Sequence, residues 1–364
     1  MTTYKESGVD LESGNTASEI FFNACKLTWK NREGKVGEIK SDANDFSGLR
    51  FMDLGGISGL RQGTNSDGIG TKVNISQRLG KHDTIAYDLV AMVADDASRE
   101  GAEPIWMTNV LDVNSLEENI ECIRQLATGL ANAANEAGIA VVNGEIAELG
   151  NLVWGHGTFN YNWSASVIWV AGKKNLIDRK SIAPGQYLVA LKEKGFRSNG
   201  ISLVRKIMQN NYGDEWHKEQ PMLALQILEH STIYSKLIKD MIGDYFSPQN
   251  ANITGIAHIT GGGIPEKLGR VLKTTGHGAN LDNLFEPCDA MKRLQELGDV
   301  ADEEAYRALN MGQGMIIATT EPDKVQEYAA KHNIESRNAG EIMQEPGIVI
   351  KSKGVKSEGR YLHF

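Results

Sequence analysis

The sequence predicts a two-domain α/β protein, and three observations carry that prediction. Short apolar runs alternate with stretches of helical periodicity along most of the chain. At 364 residues, 41% of them hydrophobic, the chain can bury more core than one domain ordinarily holds. A polar stretch with a Pro-Gly turn, K-K-N-L-I-D-R-K-S-I-A-P-G-Q from Lys173, follows an apolar run at 164–172 and divides the chain into domains 1–172 and 173–364.

Taken in order, residues 84–97 place Ile85, Leu89, Val90, Val93 and Ala97 at helical spacing, and the apolar run I-W-M-T-N-V-L after E-G-A-E-P reads as a strand. The next helix is expected over 114–138. Ser115 and Glu118 have the spacing of a capping box, Leu116, Ile120, Ile123, Ala127, Leu130 and Ala134 share one face, and Gly138 ends it. I-A-V-V at 139–142 then reads as a buried strand, and S-A-S-V-I-W-V-A-G at 164–172 as another. The second domain shows helices near 200–211, 222–242, 265–272 and 322–332, with strands Y-L-V-A-L and G-M-I-I-A-T between them. Strand 314–319, helix 322–332 and strand 336–342 form a β-α-β unit. There is no tandem repeat, and the charged K-S-K-G-V-K-S-E-G-R tail is expected in solvent.

A net charge of −9 argues against a nucleic-acid or anionic-membrane surface, because basic patches supply most of the affinity for such partners. No apolar run approaches the roughly 20 residues of a membrane helix, and the N-terminal residues lack a leader pattern. Cys25, Cys122 and Cys288 are odd in number and far apart, which suits neither a disulfide framework nor a metal knot. A cytoplasmic location is expected.

Four features point to chemistry. Q-G-T-N-S-D-G-I-G-T-K (62–72) sets Asp67 among Gly63, Gly68 and Gly70, with Lys72 close behind; the order is wrong for a P-loop, and alone it is equally a glycine-rich surface turn. Asp83, Asp88, Asp95, Asp96, Glu145 and Glu148 stand near predicted element ends. Two carboxylates about 4 Å apart would repel by about 4 kcal/mol at an effective dielectric of 20, so convergence would call for a cation. Hard oxygen ligands without a His/Cys pattern suit Mg²⁺, although any single acid here is more readily a solvated helix end than a ligand. Gly195, Ser198, Asn199 and Gly200 precede an amphipathic helix whose free N–H groups suit an anion, or are an ordinary cap. H-I-T-G-G-G-I-P sets three glycines after a strand, an entropic cost that a plain turn would not need, with Pro265 in the first helical turn.

Together these strings resemble one family. Y-K-E-S-G-V-D (4–10), G-T-N-S-D-G-I-G-T-K (63–72), H-D-T-I-A-Y-D-L-V-A-M (82–92), D-A-S-R-E-G-A-E-P (96–104), N-G-E-I-A-E (143–148), R-S-N-G-I-S-L-V-R-K (197–206) and H-I-T-G-G-G (258–263) are similar to the phosphoribosylformylglycinamidine cyclo-ligases, collinearly from about residue 4 to about residue 345. The D-x₄-G-A-x-P element alone runs through the wider PurM-like superfamily of kinases and synthetases.

The resemblance implies a PurM-like α/β (α+β) fold: an N-terminal sheet-forming ATP and dimerisation domain, and a C-terminal α/β domain. ATP would phosphorylate the formyl amide oxygen of formylglycinamidine ribonucleotide, and ring closure to aminoimidazole ribonucleotide would release ADP and phosphate. It places Asp67, Asp96 and Glu145 on Mg²⁺-ATP. Lys72, Gly68, Gly70 and Thr71 would lie near the phosphates, with Lys5 and Asp10 on the nucleotide side. Ser198, Asn199, Gly200, Thr260, Gly261, Gly262 and Gly263 would face the substrate and its ribose phosphate, and Lys72, Asp96 and Arg197 would stand nearest the chemistry.

Several positions depart from the family pattern. Arg197 stands where H-S-N-G is usual, Asn143 and Ile146 alter G-G-E-T-A-E, an aspartate-tyrosine pair is missing from M-T-N-V-L, and N-M-G-Q-G-M replaces N-C-G-V-G-M. These changes leave open a nucleotide-binding protein without cyclisation activity, or another ATP-dependent kinase or synthetase of the superfamily. Selenophosphate synthesis is disfavoured because no cysteine lies near Lys5 or the 62–72 stretch.

Overall fold

A computed structural model describes residues 11–40, 50–52 and 59–364; Lys5 and Asp10 lie outside them. The described chain forms two compact units. The first comprises the residues up to 97 with 103–171 and 233–236, and the second comprises 98–102, 172–232 and 237–364.

The first unit contains α1 (Leu11–Trp29), β1 (Leu60–Gly68), α2 (Val73–Leu79), α3 (Ile85–Ser98), β2 (Glu103–Val113), α4 (Ile120–Ala137), β3 (Ala140–Glu148) and β4 (Tyr161–Gly172). Its sheet runs β1-β4-β2-β3, with β2 parallel to β3 and antiparallel to β4. Strand side chains alternate between faces. Met107, Leu111, Trp163, Ala165 and Val167 are buried, while Thr64, Ser66, Val110 and Asn162 are exposed on the opposite side. One sheet face is therefore open. α1 finishes edge strand β3: Trp29 Nε1 donates to the Val141 carbonyl (2.8 Å), Thr28 Oγ1 accepts from the Val141 N–H (2.8 Å), and Asn31 Nδ2 donates to Ile139 O (2.8 Å).

The second unit contains β5 (Tyr187–Lys192), α5 (Ile201–Tyr212), α6 (Trp216–Glu219), α7 (Pro221–Leu228), α8 (Ser235–Ile242, begun in the first unit), β6 (Ile253–His258), α9 (Gly263–Leu272), β7 (Gly278–Leu281), α10 (Asp289–Leu297), α11 (Asp302–Ala308), β8 (Gln313–Thr319), α12 (Pro322–Lys331), β9 (Ser336–Met343), β10 (Ile348–Lys351) and β11 (Tyr361–His363). Its sheet order is β11-β10-β7-β9-β5-β8-β6. β5 is antiparallel to both β8 and β9, so the expected β-α-β unit is split, with β5 threaded between its two strands.

Four local expectations change. Much of the 62–72 stretch, which could equally be a surface turn, lies in strand β1, and Gly63 serves packing: a Cβ there would stand 2.1 Å from the Trp169 ring. The Ser115–Glu118 capping box is not made. Leu116 N–H donates to Glu148 Oε1 (2.8 Å) from β3, and the helix starts at Ile120. The expected helix over 222–242 is broken between α7 and α8, where Thr232 turns its backbone and hydroxyl groups to Glu193 and Arg197.

The charged tail, expected in solvent, is docked. Asp302 is buried and accepts from Ser352 Oγ (2.5 Å), Gln295 Nε2 (2.5 Å), Ser357 N–H (2.9 Å) and Lys356 N–H (3.0 Å). Replacing Asp302 with Ala strips these donors of their acceptor, each loss costing about 1–3 kcal/mol where the donor stays dry. Urea unfolding of Asp302→Ala is expected to show a loss of about 3 kcal/mol or more. A loss under about 1 kcal/mol would mean that the tail contributes little.

Candidate active site

In the first unit, β1 delivers Asp67 and Gly68 to the sheet edge, and Gly70–Lys72 form one 3₁₀ turn before α2. Gly70 has φ +69, a left-handed conformation that favours glycine. Gly68 N–H donates to Asp67 Oδ1 (2.7 Å). Thr71 and Gly70 are exposed, but Lys72 points inward: its Nζ is 2.8 Å from Asp88 Oδ1 on α3, and both side chains are 0% exposed. In this conformation Lys72 faces Asp88 rather than an open surface.

Of the six carboxylates named from sequence, Asp83, Asp88, Asp95 and Glu148 meet identified donors of the protein. Asp83 pairs with Lys81 (2.7 Å), Asp88 with Lys72, Asp95 accepts from Tyr234 N–H (2.9 Å), and Glu148 from Leu116 N–H. Asp96 is half-buried on α3 and Glu145 is exposed on β3. The sheet keeps Asp67 and Glu145 apart. They lie on opposite edge strands, three strand spacings or about 14 Å from each other. Glu145 stands opposite Val110 on the open face. Asp67 shares the side of Asn65, whose amide donates to Val93 O of α3 (3.0 Å). Among the described residues, Asp67, Asp96 and Glu145 do not converge within 4.8 Å. One chain therefore does not supply all three to a single ion. Each fits Mg²⁺ as a lone carboxylate beside phosphate oxygens, the usual protein share for that ion.

Behind the Gly70–Lys72 turn lies a buried polar knot that the sequence did not signal. Ser76 Oγ donates to Lys81 O (2.6 Å) and lies 2.8 Å from both His82 Nδ1 and Tyr161 Oη. Burial pushes the His82 pKa down to about 4, a nearby Asp83 opposing it.

In the second unit the two glycine turns meet. Ser198-Asn199-Gly200 lead into α5 and Thr260-Gly261-Gly262 into α9, and a Cβ on Gly261 would stand 3.4 Å from Asn199 Oδ1. Both turns rest on the end of α11, since a Cβ on Gly200 would meet Ala308 O at 2.7 Å and one on Gly263 would meet Tyr306 O at 1.8 Å. Ser198 Oγ and Asn199 Nδ2 are buried without a hydrogen-bond partner in the protein. Buried donors of this kind ordinarily have a partner, so an acceptor from outside the chain suits them. Glu266, in the first turn of α9, folds its carboxylate over Gly262 and pairs with Arg270 (2.5 Å).

Arg197 begins the first of these turns with φ 54, a left-handed backbone that costs a non-glycine residue about 1–3 kcal/mol. Its side chain is 0% exposed. Nη1 donates to Glu193 Oε2 (2.7 Å) and Thr232 O (2.9 Å), and Nη2 to His258 Nε2 (2.7 Å).

This architecture defines a class. Residues 58–160 match the AIR synthase related protein N-terminal domain, and residues 183–353 its C-terminal domain. The fold is shared with Escherichia coli HypE, a hydrogenase maturation protein, at a TM-score of 0.62 and 16% identity over 96% of each chain. A HypE solved in complex with ATP matches at a TM-score of 0.56 and 12% identity, covering 86% of this chain and 87% of that one. Sequence narrows the class further. The phosphoribosylformylglycinamidine cyclo-ligase of Thermococcus kodakarensis is 32% identical over 357 residues, 98% of this chain and all of that protein. The chain belongs to the phosphoribosylformylglycinamidine cyclo-ligase family.

Two measurements check the buried groups. Lys72→Met takes away the cation that faces buried Asp88 at 2.8 Å and is expected to cost about 4 kcal/mol by urea unfolding; Lys72→Met/Asp88→Leu should recover at least half of it. Additive losses would show that the pair is not coupled. For His82, the folded pKa near 4 lies below the ordinary 6.5, so stability is intact above pH 6.5 and drains as pH falls towards 4. By pH 5 the loss is about 2 kcal/mol. Scanning calorimetry at pH 7 and 5 should therefore show a smaller drop for His82→Asn than for the wild type, and equal drops would exclude His82 as the cause.

Proposed function

We propose that this enzyme closes the imidazole ring of formylglycinamidine ribonucleotide with ATP, forming aminoimidazole ribonucleotide, ADP and phosphate in purine biosynthesis. Family membership supports the reaction. The observation that carries the site is the approach of the Ser198-Asn199-Gly200 turn, with its two unpartnered donors Ser198 Oγ and Asn199 Nδ2, to Gly261 in the turn that opens α9. Such an arrangement suits an anion, and the ribose phosphate is the fixed anion of this substrate.

The γ-phosphoryl group passes to the formyl amide oxygen, and the resulting phosphate is a far better leaving group than hydroxide. The amidine nitrogen then forms its bond to that carbon, loses a proton, and the C–O bond breaks to release phosphate. Phosphoryl transfer asks the protein mainly for positioning and charge stabilisation. Asp67, Gly68, Gly70 and Thr71 on the β1 edge take the Mg²⁺-ATP phosphates, with Asp96 and Glu145 as further carboxylates for metal. Lys72 acts on this turn through Asp88. Magnesium supplies charge neutralisation on the transferred phosphoryl group.

Two copies pairing through the open face of the four-stranded sheet form the working dimer. That face carries Val110, and the stretch after β3 exposes Leu152 and Trp154 at 82% and 87%. Among the described residues, no helix is long and apolar enough to cross a membrane.

The test is purified protein with Mg²⁺-ATP and formylglycinamidine ribonucleotide, followed for aminoimidazole ribonucleotide and ADP. Product is expected, and Asp67→Asn should lower kcat on the order of 100-fold with the melting temperature unchanged. ADP without the imidazole would point to a kinase of the superfamily. Neither product would sink the cyclo-ligase reading.

A further inference from the structure

Arg197 lies where two chain segments leave the sheet. Glu193 follows β5 and is wholly buried; besides Arg197 it accepts from Lys194 N–H (2.8 Å), Thr232 N–H (3.2 Å) and Thr232 Oγ1 (3.0 Å). His258 ends β6, two residues before Thr260, and is buried as well. One guanidinium therefore ties the segment entering Ser198-Asn199-Gly200 to the segment entering Thr260-Gly261-Gly262. A guanidinium only donates, so at 2.7 Å the His258 Nε2 must accept. That leaves the ring proton on Nδ1 and the imidazole neutral.

We infer that Arg197 is a positioning residue, which locks His258 in its neutral Nδ1–H form and holds the two turns in the spacing that lets Ser198 and Asn199 bind the phosphate group of the substrate. This rests on the assignment of those turns to the substrate. The planar fork is what the role requires: Nη1 reaches Glu193 and Thr232 while Nη2 reaches His258. A lysine ammonium is a point donor that cannot hold all three in one plane, and an imidazole in the same place would leave the Glu193 charge without its fork. The family's histidine at this position has thus been exchanged for a group with a different task, and Glu193, Thr232 and His258 are the parts that make the exchange possible.

The experiment compares wild type with Arg197→Lys in the full chain, by steady-state kinetics and by ¹⁵N NMR of histidine-labelled protein. The chain has eight histidines, and His258→Asn assigns the signal. Wild type is expected to show His258 as the Nδ1–H tautomer. Arg197→Lys should show a mixture of tautomers and a KM for formylglycinamidine ribonucleotide raised about 10-fold or more, the equivalent of one lost hydrogen bond to a charged group. kcat and the KM for ATP should stay within about threefold. A fall in kcat with unchanged KM would place Arg197 at the reacting atoms and overturn the inference, as would an Nε2–H tautomer in the wild type or a variant indistinguishable from it. If Arg197→Lys does not fold, Arg197→Gln/Glu193→Gln leaves no unpaired charge and carries the same readouts. If the wild type does not cyclise the substrate, the functional assignment fails by itself. The tautomer, and titration with inorganic phosphate followed at Ser198 and Asn199, then still decide the positioning role.

Discussion

Two charges buried away from water must satisfy each other, and each unit sets one such pair directly behind its glycine-bearing turn. Lys72 with Asp88 stands behind Gly68 to Thr71, and Arg197 with Glu193 stands behind Ser198 to Gly200. Desolvating two ions costs several kcal/mol each, which only close and well-directed contact offsets. A turn tied to such a pair has little freedom to drift, because any displacement exposes the full penalty of an unpaired buried charge. The two pairs differ in kind. Lysine offers a point contact between a turn and one helix, whereas the arginine fork joins three separate segments at once.

The second constraint is strand order. In the β1-β4-β2-β3 sheet, the strands carrying Asp67 and Glu145 are the two edges, so the acidic groups that look adjacent in a motif list sit far apart in the unit. This is compatible with phosphoryl transfer, where ATP phosphates complete the metal shell and the protein contributes few carboxylates per ion.

Helices with a long apolar stripe were legible in the sequence: α3, α5, α9 and α12 fall within a few residues of their expected limits. Where tertiary contacts decide, periodicity was silent. T-N-S-D in β1 has no apolar member because one side faces the open surface and the other is held by an amide, Asn65, to Val93. The tail looked like solvated coil because its charged residues give no hint that Ser352 and two backbone N–H groups reach Asp302, about fifty residues away. Gly63, grouped in the string with Gly68 and Gly70 around Asp67, is clearance for Trp169. The two glycine turns before α5 and α9 were readable as turns by contrast, because three successive glycines and an S-N-G before a helix are local signals. The burial of Arg197 was not, since it needs Glu193, Thr232 and His258 from three places in the chain.

That burial bears on the chemistry. A histidine before S-N-G suggests a proton carrier, and its replacement by an arginine would be crippling if ring closure needed one there, because a guanidinium does not titrate near neutral pH. In this chain the side chain at that position is buried beneath the turn that its backbone begins, and the neighbouring imidazole of His258 is held with its Nε2 lone pair occupied. Neither group is arranged to exchange a proton with a ligand through that atom. What the turn presents instead is Ser198 Oγ and Asn199 Nδ2, donors suited to a fixed anion. Phosphoryl transfer followed by intramolecular attack tolerates this, because once the formyl oxygen carries phosphate the leaving group needs no protonation by a strong acid, and most of the remaining barrier is geometry. The exchange of histidine for arginine therefore moves the position from chemistry to architecture without removing anything that the proposed reaction requires of it.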